Sequence, residues 1–127
     1  MSMRLKFLFC LASMIAVASC GQASAKVADP ANDLHCSALS FHFARVAKQA
    51  GAPADQQRAA NAFHEWYAAK LRKVAEERRE SASVFREMEP VLDAVERDHQ
   101  SMLDEVTACA ARAAADPAFE AFSRTFR

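Results

Sequence analysis

The fold of this chain is decided by residues 92–113, which read LDAVERDHQSMLDEVTACAARA. Within this stretch apolar or small side chains, and one histidine, recur at alternating steps of three and four residues, the spacing of a helix that packs along one seam. The positions are Leu92, Val95, His99, Met102, Val106, Cys109 and Ala113. The pattern predicts a helix that begins at Pro90, because proline is tolerated in the first turn of a helix.

A first helix is predicted to begin at Asn32 or Asp33, either of which can cap it. It should end at Gly51 and Pro53, because glycine adopts the left-handed conformation and proline cannot continue a helix. One face of this helix carries a recurring set of apolar or small residues. They are Cys36, Leu39, Phe43, Val46 and Ala50.

A second helix is expected from Asp55 to Met88, before the Glu89-Pro90 pair. Its charged run 76–80 consists of good helix formers that can pair with one another, so we interpret it as a solvated part of one continuous helix, with a loop as the alternative. Asp116-Pro117 then begins a short C-terminal helix with three phenylalanines on it. The predicted fold is all-α, a small antiparallel bundle of three main helices plus this short helix, over residues 33–127.

The cysteines predict one disulfide bond. Cys10 lies in the apolar N-terminal run and Cys20 just after it, so Cys36 and Cys109 are the two of the four that remain for pairing. In an exported protein they form a disulfide most simply, the alternative being two separate reduced thiols. With a continuous second helix and a rise of about 1.5 Å per residue, both lie roughly 21 Å from the turn at Gly51.

The N-terminus is typical of an export signal. Arg4 and Lys6 precede an apolar run, residues 7–18, and Ala23-Ser24-Ala25 then provides the small residues that signal peptidase requires. The run is shorter than the roughly 20 residues that span a bilayer. We therefore expect residues 1–25 to be removed and residues 26–32 to form a tether or a disordered lead-in.

A second processing route is indicated by Val17-Ala18-Ser19-Cys20, which resembles the lipobox of bacterial lipoproteins. The resemblance implies cleavage after residue 19, acylation of Cys20, and a membrane-anchored lipoprotein that faces the periplasm. A soluble periplasmic protein is the alternative. Contact with the membrane is expected only through the lipid on Cys20.

Composition argues against several classes of function. Without Arg4 and Lys6 the 16 Lys+Arg become 14, against 16 Asp+Glu, and the charges are interspersed, so no nucleic-acid partner is expected. Four histidines are present, but no metal-binding spacing joins them, and we interpret His35, His42 and His64 as surface or boundary residues. His99, on the heptad stripe, is interpreted as a core or boundary residue without a role, the alternative being a buried neutral ring that gains charge in mild acid.

No catalytic residue, cofactor or metal ligand is predicted, and an enzyme is not expected. Cys36 and Cys109 are predicted to form a disulfide and so cannot act as nucleophiles, and no serine has a recognisable nucleophile motif. Trp66 and Tyr67 are interpreted as core residues. The chain is therefore interpreted as a small exported envelope protein that acts as a protein-interaction module.

The expected interaction surface is an apolar seam on a projecting arm formed by the second and third helices. It consists of Val95, Met102, Phe85 and Met88, and it would bind a second copy of the chain or a helical partner. The mature region is also similar to small periplasmic acid-stress chaperones, which are helical, of about this size and closed by one disulfide. That resemblance implies the alternative function, an acid-responsive periplasmic holdase that loosens when carboxylates and His99 are protonated.

Overall fold

The computed structural model describes residues 27–126, and within them the chain is helical, with no β-strand. Two short 3-10 helices, His99–Met102 and Arg124–Phe126, accompany the α-helices. The α-helices are α1 (Asp33–Gln49), α2 (Ala54–Arg78), α3 (Ser81–Arg97), α4 (Leu103–Ala115) and α5 (Pro117–Ser123). The predicted all-α class is confirmed. None of the described helices is long and apolar enough to cross a membrane.

Helix α1 is the centre of the bundle, because both α2 and α3 pack along it. The chain reverses after α1 and again after α2, so α1 and α3 run in the same direction. Arg45 and Glu96, close to the C-terminal ends of these two helices, form an ion pair at 3.0 Å. Small side chains at Ser37, Ala38 and Ser40, all buried, allow the neighbouring helices to approach α1 closely.

The start of α1 is fixed by Asn32, as predicted. Its Oδ1 accepts hydrogen bonds from the backbone N–H groups of Leu34, at 2.9 Å, and His35, at 3.4 Å. Before it, the backbone N–H of Asp29 donates to His35 Nδ1 at 2.9 Å, and Ala28 is buried against the core. Residues 28–32, which the sequence analysis assigns to a tether, therefore pack on the helical domain.

The predicted continuous helix from Asp55 to Met88 is wrong. Helix α2 ends at Arg78, and Arg79 adopts the left-handed conformation, with φ 54°, that reverses the chain. The reason is tertiary: a continuous helix would leave Val84 and Met88 on a projecting arm, whereas the reversal buries both. Burying one such side chain contributes about 1.5–3 kcal/mol, which exceeds the cost of one residue in the left-handed region.

The predicted helix start at Pro90 is also wrong, because α3 runs from Ser81 through this proline. Pro90 is exposed, so the carbonyl that it leaves without a helical hydrogen bond faces water. Helix α3 then ends at Arg97, and the predicted third helix continues, after the 3-10 helix, as α4. The predicted apolar stripe still faces the core on both sides of this break, since Val95, Met102, Cys109 and Ala113 are all buried.

The predicted disulfide between Cys36 and Cys109 is confirmed, with the Cα atoms 5.6 Å apart. The sequence-based argument for this pairing assumed a continuous second helix, and that assumption is wrong. The two cysteines meet because the 3-10 helix at His99–Met102 turns the chain, so that α4 returns beside the beginning of α1. Closing a loop of 73 residues stabilises the fold by about 4 kcal/mol in chain-entropy models.

We predict that Arg79→Gly stabilises the protein. Glycine removes the left-handed strain of about 1–2 kcal/mol, and this gain exceeds the extra entropy, about 0.4–1 kcal/mol, that it gives the unfolded chain. The expected gain in unfolding free energy is about 0.5–1 kcal/mol, measured by denaturant titration. Arg79→Ala is the control, because alanine retains Cβ and should give no gain. Equal effects of the two variants would show that the guanidinium, and not the backbone, determines the result.

Candidate functional site

The predicted seam is not an exposed surface in this structure. Val95, Met102 and Met88 are at most 6% exposed, because α3 packs beside α1 and does not project from the bundle. Phe85 is the exception: 63% of this side chain is exposed, near the turn between α2 and α3. The seam prediction therefore has to be corrected to this one residue and its surroundings.

The disulfide forms part of a buried junction of α1, α2 and α4. The Tyr67 hydroxyl donates a hydrogen bond to the carbonyl oxygen of Cys109 at 2.6 Å, and burial raises the pKa of this phenol. The guanidinium of Arg112 lies over the Tyr67 ring, donates to Cys36 Sγ at 3.3 Å and pairs with Asp33 at 2.7 Å. Sequence reasoning missed Arg112, although it follows Cys109 by one helical turn.

Aromatic side chains attach the C-terminal segment to α2. Trp66 lies edge-on to Phe119 and Phe122, with ring centroids 5.3 and 5.4 Å apart, and Phe122 is 5.4 Å from Phe126. Asp116 caps α5 by accepting a hydrogen bond from the N–H of Ala118 at 2.9 Å. The predicted short C-terminal helix is thus present, and its phenylalanines pack against the bundle.

An apolar groove lies between the beginning of α2 and this C-terminal segment. Its volume is about 650 Å³, within the range of ligand-binding pockets. Two alanines and a pair of opposite charges line it from one face of α2, and two phenylalanines line it from the C-terminal segment. These residues are Ala59 and Ala62, Phe119 and Phe126, and Asp55 and Arg58. We call this site the α2 groove.

Sequence reasoning missed the α2 groove for a physical reason. Ala59 and Ala62 are ordinary helix formers, and their small size matters only because the C-terminal phenylalanines lie opposite them. Ala59 and Ala62 are one turn apart, so the sequence places them on one face of the second helix. The spacing of residues in the sequence does not predict that the C-terminal helix packs against that face.

A second polar cluster surrounds His42, which the sequence analysis placed at the surface or boundary. The prediction is wrong, because His42 is 5% exposed. Its Nδ1 lies 3.4 Å from Arg45 Nη2, and a guanidinium only donates, so the proton of the neutral ring is on Nε2. Nε2 is buried without a partner among the described residues. The ring centroid of half-buried His99 is 6.1 Å away.

The pKa of His42 is lowered, first by burial and then by the positive charges of Arg45 and His99, with Glu96 opposing them. The folded chain therefore disfavours a proton on this ring. His42 thus has the buried, acid-sensitive surroundings that the sequence suggested only as an alternative for His99. Within residues 27–126 no group of three or more histidine, cysteine, aspartate or glutamate side chains is arranged to hold a metal ion.

The predicted lipidation site, Cys20, lies outside the described residues, as does the whole predicted export signal. Comparison with known proteins adds no relative: no family model, no curated protein and no solved structure matches this chain.

We predict that acid destabilises the protein through His42. Its folded pKa lies below 6.5, so below about pH 6.5 the unfolded chain binds more protons than the folded one. The contribution of the neutral ring is complete above pH 6.5 and is lost as the pH falls below it. Thermal unfolding at about pH 7.5 and about pH 5.5 should show a smaller difference in Tm for His42→Gln than for the wild type.

His64→Gln is the matched control, since His64 is only partly buried and its ring lies against Phe41. It should keep the pH dependence of the wild type. If His42→Gln also keeps it, His42 does not cause the acid sensitivity.

Proposed function

We propose that this chain is a small exported envelope protein that acts as a protein-interaction module and not as an enzyme. The observation that carries the proposal is the α2 groove, which presents apolar side chains to solvent at one end of the bundle. Its occupant is an amphipathic helical segment of a partner protein. Export and lipid anchoring rest on the sequence of residues 1–25.

The shape of the α2 groove favours a helical occupant. Asp55, Ala59 and Ala62 lie along about two turns of α2, so the groove is elongated along a helix axis. Small alanines on one side and phenylalanine rings on the other leave space for apolar side chains that recur at helical spacing, the helix-in-groove mode of recognition. Asp55 and Arg58 add one charge of each sign to the lining, so a strongly charged occupant gains little net attraction there.

We predict that Ala59→Trp blocks the α2 groove. Ala59 is exposed, so the larger side chain fills the groove without entering the core. A photo-crosslinking amino acid at Arg58 should form one defined adduct with a partner in intact cells, and Ala59→Trp should abolish that adduct.

The control is Gln56→Trp, which adds the same side chain at an exposed position of α2 that does not line the groove. The adduct should persist in this variant. An adduct that survives Ala59→Trp as well would contradict the assignment of the groove as the binding site.

The export proposal has its own test. The mature protein should incorporate labelled fatty acid at Cys20, and Cys20→Ala should abolish the label and move the mature N-terminus to Lys26. A wild-type protein that carries no label and begins at Lys26 supports the soluble periplasmic alternative. A protein that retains Met1 and stays in the cytoplasm contradicts export altogether.

A second candidate function, an acid-responsive holdase, is favoured by the surroundings of His42. Protonation of this buried ring adds a positive charge next to the Arg45 guanidinium and the His99 ring, and the Glu96 carboxylate opposes this effect. Loosening at this point would expose the apolar side chains of α1 and α3. A holdase prevents aggregation of an unfolded client only in acid, and His42→Gln should lower that activity, whereas an interaction module of constant shape has no such dependence.

A further inference from the structure

The most exposed large apolar side chain in residues 27–126 is that of Phe85, on the first turns of α3. Beside it lies a groove of about 350 Å³ between the end of α2 and the start of α3. Its apolar lining consists of Leu71, Ala75, Val84 and Phe85 itself, and its charged lining consists of Arg72 and Glu76. We call this surface the Phe85 face.

Two ion pairs hold the helices that form the Phe85 face. Arg78 pairs with Glu87 at 2.7 Å, which joins the end of α2 to α3, and Arg86 pairs with Glu80 at 3.3 Å across the turn. The exposed Phe41, by comparison, lies against the His64 ring and the Arg45 guanidinium of its own chain. Phe85 has no aromatic or cationic neighbour among the described residues.

The Phe85 face is self-complementary in shape. It carries one exposed ring and a groove that this ring itself lines, with a volume large enough to receive a second ring. In a twofold dimer the same surface of each copy meets the other, so each Phe85 enters the groove of the second copy and packs beside the Phe85 of that copy.

The charges on the Phe85 face are complementary under the same symmetry. Arg72 and Glu76 are exposed, lie four residues apart on α2, and take part in no ion pair within the described chain. If two α2 helices lie antiparallel, with the twofold axis level with residue 74 on the face that carries Arg72 and Glu76, Arg72 of each copy lies opposite Glu76 of the other. The dimer then contains two ion pairs between Arg72 of one copy and Glu76 of the other, one on each side of the axis. Such charge complementarity fixes the register of an interface.

We infer that the Phe85 face is the contact surface of a twofold homodimer of this chain. The dimer goes beyond the proposed function, because the Phe85 face and the α2 groove occupy opposite ends of α2. Ala62 and Leu71, the nearest groove-lining residues of the two surfaces, are about 14 Å apart along the helix axis. Each copy in the dimer therefore keeps its α2 groove free for a partner.

The test is sedimentation analysis of the mature protein, purified from cells, over a range of concentrations. The wild type should show a monomer–dimer equilibrium. Phe85→Glu should raise the dissociation constant about 30-fold or more, the effect of removing an interface hot spot. Because Phe85 is exposed in the monomer, its helix content by circular dichroism and its Tm should stay unchanged. Leu103→Glu, at an exposed apolar residue outside the face, should leave the equilibrium unaffected.

The charge pairing is tested by exchange of the two residues. Arg72→Glu alone and Glu76→Arg alone should each weaken the dimer about 5- to 10-fold, since each places like charges opposite one another. The double variant Arg72→Glu/Glu76→Arg should restore wild-type association. A wild type that stays monomeric at every concentration overturns the dimer, and a dimer insensitive to Phe85→Glu overturns the face. A double variant as weak as the single variants overturns the antiparallel register.

Discussion

The disulfide between Cys36 and Cys109 is the constraint on which the rest of the bundle depends. It joins the beginning of α1 to α4, and the Tyr67 hydroxyl attaches α2 to the same point by its hydrogen bond to the Cys109 carbonyl. Folded domains are stable by only about 5–15 kcal/mol, so a cross-link worth about 4 kcal/mol is a large share of the total. The bond, the phenol and Arg112 thus make one rigid junction of three helices.

Helix α2 connects this junction to both proposed binding surfaces. Its first turns form the base of the α2 groove, Tyr67 near its middle enters the junction, and its last turns carry Arg72 and Glu76. A single helix of 25 residues therefore holds the two surfaces at a fixed separation. The separation explains how one small domain can offer a surface to its own copy and another to a different protein without competition between them.

The sequence predicted the side-chain stripe of residues 92–113 better than the helices that carry it. Val95, Met102, Cys109 and Ala113 are buried although the chain leaves the α-helix at Asp98, because a short 3-10 helix changes direction while keeping the same side inward. The reversal at Arg79 could not be predicted locally, since run 76–80 favours helix by propensity. Burial of Val84 and Met88, a tertiary effect, decides it. His42 was misassigned because α1 is covered by two helices, so its buried surface is wider than one stripe.

Acid can destabilise this fold at two separate places, at His42 and at Glu87. The neutral ring of His42 loses its contribution as the pH falls below 6.5, and it lies where α1 meets the end of α3. The hydrogen bond from Arg78 lowers the pKa of Glu87 below 4.5, so their ion pair persists in mild acid and is lost only as the pH falls further. That second pair is exposed to solvent and contributes little, whereas buried Val84 and Met88 keep α3 against the bundle, and the disulfide does not titrate. Mild acid therefore weakens the His42 end of the bundle first.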